Sequence, residues 1–286
     1  MHGGGTALGP GLYLVSTPIG AARDITLRAL DVLAEADVLA AEDTRTLRHL
    51  MGIHGIPLGL REIVAYHDHN APKARPRLLA ALAEGKSVAY ASEAGTPLVA
   101  DPGYDLARAA GRAGYPVRPV PGASAMLAAL TVAGLPTDRF LFAGFAPASG
   151  AARRTWLRDL SAVAATLVIY EAPHRIREML ADLSDIFGPD RQAALCRELT
   201  KRFEDVQRGT LAELCDRVAS HPPKGEIVLV IDRPAALPVR EADVTSALRT
   251  ALRTMSVRDA AQVVAEATGL PRRDVYRLAL GLGTEN

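Results

Sequence analysis

The chain has 286 residues, 49% hydrophobic and 23% charged, with a formal net charge of +1 and a mean hydropathy of +0.09. This profile excludes a disordered or fibrous chain, and the length allows about two average domains. With 33 basic against 32 acidic side chains, composition does not announce a polybasic nucleic-acid binder.

Strand-length apolar runs alternate with helical patterns over the first 232 residues. LYLVST (12–17) reads as a strand, followed by a helix over about 24–36 whose Ile25, Leu27, Leu30, Leu33 and Ala34 are expected to share a buried face. DVLAA (37–41), EIVAYH (62–67), SVAYAS (87–92) and YPVRPV (115–120) are further strands, with a helix over 72–83 between the third and fourth. That repeating order predicts a mostly parallel sheet covered by helices. After PGAS (121–124) and an apolar helix over 123–134, the runs RFLFAGF, ATLVIYEA, AALCREL, RFEDVQRG and GEIVLVID suggest a second α/β lobe. RELTKRFEDVQRG (197–209) predicts antiparallel pairing. Thr210 with Glu213 forms a capping-box pattern. The expected organisation is α/β, with lobes over 11–120 and 121–232 and, beyond a Pro-broken linker, an all-helical appendage over 243–283. In the appendage Ser256, Gly269 and Pro271 punctuate helices in a helix-turn-helix pattern, the alternative being a packing or dimerisation element.

Several function classes are unsupported. Cys196 and Cys215 are too few and too far apart for a zinc motif or disulfide framework and suit a reducing cytoplasm. The first residues lack a signal-peptide pattern, and no apolar run approaches the ~18 residues of a membrane helix; the protein is expected to be cytoplasmic. His67-Asp68-His69 has metal-like spacing without a matching ligand set elsewhere, so no metal is expected. EGKS (84–87) lacks the first glycine of a phosphate-binding P-loop, and GASAM (122–126) lacks the closing glycine of a nucleophile elbow. Of the 33 basic residues 29 are arginines. A G+C-rich genome explains this without function, and bidentate phosphate recognition is the sharper alternative.

Three turns carry the functional signal. STPIG (16–20), SEAGTP (92–97, with DPG at 101–103 behind it) and PGAS each follow a strand, where ligands of parallel α/β sheets bind and where Pro and Gly let the backbone turn sharply. Together they predict one cleft. Polar segments AEDTR (41–45), YHDHN (66–70), YEAPHR (170–175) and RELTK (197–201) stand at other strand ends.

In this order, STPIG, RDITLRALDVLAEAD, AEDTR, HDHN, SEAGTPLVADPG, GLPTDRF, YEAPHR and RELTK strongly resemble the bacterial family of ribosomal RNA small subunit methyltransferase I, over residues 11–232 and into the C-terminal helices. The resemblance implies two α/β lobes of the tetrapyrrole methylase type with S-adenosylmethionine in the cleft between them, and a homodimer. It implies 2′-O-methylation of a cytidine in the decoding region of 16S ribosomal RNA, within the 30S particle. It would place Pro18 beside the cofactor, Ala94, Gly95, Thr96 and Val99 in its main cradle, Ser124 and Ala125 in a third contact segment, and Glu171 and Thr200 closing the site from the second lobe. Ala21, Glu93 and Ala123 depart from the family pattern, in which Asn, Asp and Pro are usual.

A ribose 2′-hydroxyl is a weak acid, so Glu42, Arg45, His69 and Glu171 are the candidate catalytic residues. Arg45, Arg175, Arg197, Lys201, Arg272 and Arg273 are the candidate RNA contacts, with splayed or single-stranded RNA expected because a 2′-hydroxyl must enter a cleft. Two rival readings remain: a tetrapyrrole carbon methyltransferase of the same fold, and a non-catalytic RNA-binding module.

Overall fold

The computed structural model describes residues 8–67, 69–98, 103–234 and 241–283. The chain divides into two compact units, Met1–Arg233 and Pro234–Asn286.

In the first unit, β1 (Gly11–Val15), β2 (Val38–Ala41), β3 (Ile63–Ala65), β4 (Ser87–Ala91) and β5 (Val117–Val120) form a five-stranded sheet in the order β3-β2-β4-β1-β5. All its pairings are parallel. Such a sheet is buried on both faces. Tyr13, Val15, Leu39, Ala41, Ala89 and Ala91 pack against α1 (Leu27–Glu35) and α2 (Thr44–Ile53). Their neighbours Leu12, Ala40, Val64, Val88 and Tyr90 pack against α3 (Ala71–Ala83) and α4 (Tyr104–Arg112) on the other face.

The sequence pattern singles out neither α2 nor α4. Helix α1 begins late, capped by Thr26, whose hydroxyl accepts from Ala29 N–H. Its buried face is Ala29, Leu30, Val32 and Leu33. Leu27 is therefore a first-turn residue and 77% exposed, and Ala34 is exposed as well, contrary to the periodicity reading.

The apolar helix α5 (Ala125–Ala133) leads into a second five-stranded sheet of β6 (Phe140–Phe145), β7 (Thr166–Glu171), β8 (Gln192–Arg197), β9 (Asp205–Thr210) and β10 (Ile227–Ile231), ordered β6-β7-β10-β8-β9. Here β6 and β7 are parallel, and the other pairings are antiparallel. The β8–β9 hairpin spans the segment expected to pair that way. Helix α5 covers one face through Val168, Ala194, Cys196, Val228 and Val230. Helices α6 (Gly150–Ser161), α7 (Ile176–Phe187) and α8 (Leu211–Ser220) cover the other. Both halves of the Thr210–Glu213 capping box are formed.

The second unit has three helices among its described residues: α9 (Glu241–Ala251), α10 (Val257–Thr268) and α11 (Arg272–Gly283). They enclose their own core of Val244, Leu248, Ala260, Ala261, Val264, Val275 and Ala279. Ser256 caps α10, and Gly269 ends it in the left-handed conformation.

Candidate functional site

Strands β4, β1 and β5 are neighbours in that order, so the turns leaving their C-terminal ends must lie side by side. Backbone and side chains tie them together. Thr17 and Gly95 exchange backbone hydrogen bonds, Thr17 N–H to Gly95 O at 2.9 Å and Gly95 N–H to Thr17 O at 3.1 Å. The Ser92 hydroxyl donates to Gly95 O at 2.6 Å, and the Thr17 hydroxyl to Ser92 O at 3.2 Å. The Thr96 hydroxyl reaches the third turn, donating to Ala123 O at 2.9 Å. Gly95 has φ +81°, and a Cβ there would meet Ile19 Cγ2 at 3.3 Å; it is the position in this turn where a side chain would both strain the backbone and crowd the floor.

These turns border a cleft of about 580 Å³ between the two sheets of the first unit. The first sheet contributes Ile19, Glu42 and Glu93–Thr96, and the start of α5 contributes Ser124 and Ala125. From the second sheet come Phe145, Tyr170–Pro173 and Gly225–Val228. Its charge is negative, from Glu42, Glu93, Glu171 and Glu226. Glu171 has a fully buried side chain, with Arg175 Nε 3.3 Å from Oε1. That oxygen accepts from Ala172 N–H at 2.8 Å, whereas Oε2 has no partner. A buried carboxylate oxygen without a donor is costly unless a ligand supplies one. Tyr170 is held by its own hydroxyl, which accepts from Met126 N–H at 3.1 Å, and burial pushes its phenol up.

Of the sequence-derived cofactor residues, Ala94, Gly95, Thr96, Ser124, Ala125 and Glu171 border this cleft. Pro18 and Thr200 are not among its lining residues. Thr200 is instead a tie between the lobes, accepting from Ala21 N–H at 3.0 Å in a left-handed backbone, φ 64°, that β-branched residues rarely adopt. Val99, Asp101 and Pro102 lie outside the described residues.

Among the catalytic candidates, Glu42 and Glu171 are in the cleft, and Arg45 and His69 are not. The Arg45 side chain is 91% exposed and pairs with Asp43 at 2.7 Å; that contact holds the Asp43 carboxyl down at about 2. His69 is exposed, its ring 6.1 Å from that of His67, and Asp68 lies outside the described residues.

Several expected RNA contacts are engaged within the chain. Arg175 donates to Ala146 O and Pro147 O, both at 2.8 Å, and Arg197 to Lys224 O at 3.3 Å. Lys201 pairs with Glu198 at 3.0 Å and Glu226 at 3.2 Å. In the second unit the exposed Arg272 and Arg273 share a surface hollow with Arg258 and Tyr276. Among the described residues no group of three or more His, Cys, Asp or Glu is arranged to hold a metal ion, and no helix is long and apolar enough to cross a membrane. The sequence reading did not single out Phe145 or Gly225–Val228, which reach the cleft only through sheet pairing, nor Tyr170, although it heads the YEAPHR segment.

Two sheets around one cleft are the frame of the tetrapyrrole methylase class, to which the chain belongs. Residues 11–215 match the family model described as tetrapyrrole (corrin/porphyrin) methylases. A uroporphyrin-III C-methyltransferase from Thermus thermophilus, solved with S-adenosylhomocysteine, shares the fold at a TM-score of 0.53 and 22% identity, covering 78% of this chain and 97% of that one. Within that class, the chain belongs to the family of ribosomal RNA small subunit methyltransferase I. It is 49% identical to the member from Mesorhizobium japonicum, over 96% of this chain and 93% of the relative. Against the Pseudomonas aeruginosa member it is 44% identical, over 94% and 96%. Residues 238–283 match the model described as the RsmI C-terminal HTH domain.

Proposed function

We propose that this methyltransferase uses S-adenosylmethionine to methylate the ribose 2′-oxygen of a cytidine in the decoding region of 16S ribosomal RNA, within the 30S particle. The observation that carries the reading is the cleft itself: three strand-end turns of one sheet face a buried, half-satisfied carboxylate of the other. The residues fit the cofactor. Gly95 keeps the floor open, Ile19, Ala125, Ile227 and Val228 supply apolar walls, and the carboxylates suit a ligand carrying positive charge. Glu171 Oε2 awaits a donor that a bound polar ligand provides. When bound, S-adenosylmethionine supplies a methyl group already activated on a positive sulfur.

The protein then has to orient a hydroxyl, take up its proton and exclude competing water. Of the four cleft carboxylates, Glu42 and Glu171, one from each sheet, are the candidates for that proton; Arg45 and His69 lie outside the cleft lining. A negative cleft admits an uncharged ribose and leaves the phosphates outside. That role suits Arg45, Arg272 and Arg273, whose side chains reach solvent. Residues 11–120 and 121–232 act as the two lobes closing on the cleft, with 243–283 as an RNA-binding helix-turn-helix. A cytoplasmic homodimer belongs to the same reading.

The test is transfer of labelled methyl from the cofactor to 30S particles that lack the modification. Label on a cytidine 2′-oxygen is expected; label on a base, or on a tetrapyrrole but not on RNA, overturns the assignment. Light scattering checks the dimer, which a monomeric mass would remove.

A further inference from the structure

Strand β6 is the edge of the second sheet, and its sequence FLFAGF is apolar throughout. Side chains of a regular strand alternate faces, so Phe142 and Phe145, three positions apart, would lie on opposite faces. They do not. Phe142 pairs with Val168 and Gly144 with Ile169, leaving Ala143 as an extra residue. Gly144 takes φ +74°, and a Cβ there would touch nothing within 4 Å. The glycine is thus required by the backbone and not by packing. A bulge moves every later residue to the other face, and Phe145 arrives opposite Tyr170.

The consequence is an aromatic cluster on the cleft side. The Phe142 and Phe145 rings both meet Tyr170 edge-on, at 4.8 and 5.5 Å between centroids. Tyr170 is itself pinned to the start of α5 through Met126 N–H, so the ring beneath Phe145 is fixed. Phe145 nevertheless remains 58% exposed while lining the cleft. An aromatic ring held by its edge with its bulk in solvent forfeits hydrophobic stabilisation that the opposite face, packed with Leu167 and Ile169, would have supplied.

We propose that Phe145 is a stacking platform at the cleft mouth for the nucleobase of the target nucleotide. This rests on the RNA methyltransferase reading above. A ribose can reach a cleft only if its nucleotide is splayed from its neighbours, and the freed base then needs a π-surface. An exposed ring on the rim is available to a large substrate arriving from solvent, whereas Gly95, Ser124 and Glu171 are buried and suit the small cofactor. Phe145 acts as a positioning residue: it holds the base so that the ribose presents its hydroxyl inward.

The test compares Phe145→Ala, Phe145→Leu and Phe145→Trp with the wild type. The readouts are methyl transfer to unmodified 30S particles, cofactor affinity by isothermal titration, and mass by light scattering. Phe145→Leu keeps apolar contact with Tyr170 but removes the ring. Both ring-less variants are expected to lose about 5- to 100-fold in kcat/KM for the particle. Cofactor affinity and mass should stay unchanged, and Phe145→Trp should restore transfer. An unchanged kcat/KM in Phe145→Leu overturns the proposal. So does a matching loss of cofactor affinity, which would assign the ring to the cofactor's adenine, or a change of mass, which would assign it to a subunit interface. Wild-type protein that transfers no methyl to ribose sinks the functional reading itself, a result distinct from a platform failure.

Discussion

Gly95 offers the most direct test of the cleft. It lies in the left-handed region at φ +81°, bonded on both sides to Thr17, and a Cβ would sit 3.3 Å from Ile19 Cγ2 and 3.7 Å from Ala123 O. Alanine in that conformation costs about 1–2 kcal/mol, and Ile19, 7% exposed, has little room to give. For a unit of this size the loss lowers Tm by about 2–8 °C. If the turn relaxes to relieve the strain, the same free energy appears as about 5- to 30-fold weaker cofactor binding. Gly95→Arg places a long cation in the cleft and should abolish binding while the protein still melts cooperatively. Isothermal titration with S-adenosylmethionine and a thermal melt of each variant provide both numbers. Gly95→Ala with wild-type Tm and affinity, or a folded Gly95→Arg that still binds cofactor, would falsify the placement of this turn in the site.

Other consequences follow from the same geometry. Arg153 joins α6 to α7, its side chain 4% exposed and 2.7 Å from Asp182; Arg153→Met leaves that carboxylate with Arg154 alone and should cost about 1–3 kcal/mol, read as a lowered urea midpoint, while an unchanged midpoint would show the pair to be dispensable. Thr200→Val removes the acceptor for Ala21 N–H and should raise the KM for cofactor with little effect on kcat, whereas Thr200→Ser, which keeps the hydroxyl, should not; equal behaviour of the two would deny the tie between lobes. Burial pushes the Cys196 thiol up to about 12, so the folded protein keeps a proton that the unfolded chain loses near pH 9. Stability should therefore fall as pH rises from about 9 to 12. Cys196→Val should flatten that slope in urea titrations, and an identical slope would assign the alkaline loss to other groups.

Much of this protein is legible locally. Turn chemistry marked STPIG, SEAGTP and PGAS; β-branched and apolar runs marked the strands; Thr210 with Glu213 and Ser256 with Gly269 marked helix ends. These signals depend on residues a few positions apart, which is why they survive without a fold. The polar segments were informative only in part, for the complementary reason. EDTR does bring Glu42 to the cleft, yet its Asp43–Arg45 pair turns Arg45 onto the surface, and in HDHN His69 faces solvent.

By itself the sequence determined the class of fold, the family and the turns that build the cleft, because short-range backbone preferences and long motifs encode them. Tertiary structure alone decided which side chains share the cleft. The strand order β4-β1-β5 brings three distant turns together, and the β10 pairings with β7 and β8 carry Ile227 and Val228 to the wall opposite. One extra residue in β6 moves Phe145 from the face covered by α6, α7 and α8 to the cleft mouth. Register and strand order are properties of pairing between remote segments, and no periodicity within FLFAGF could have revealed them.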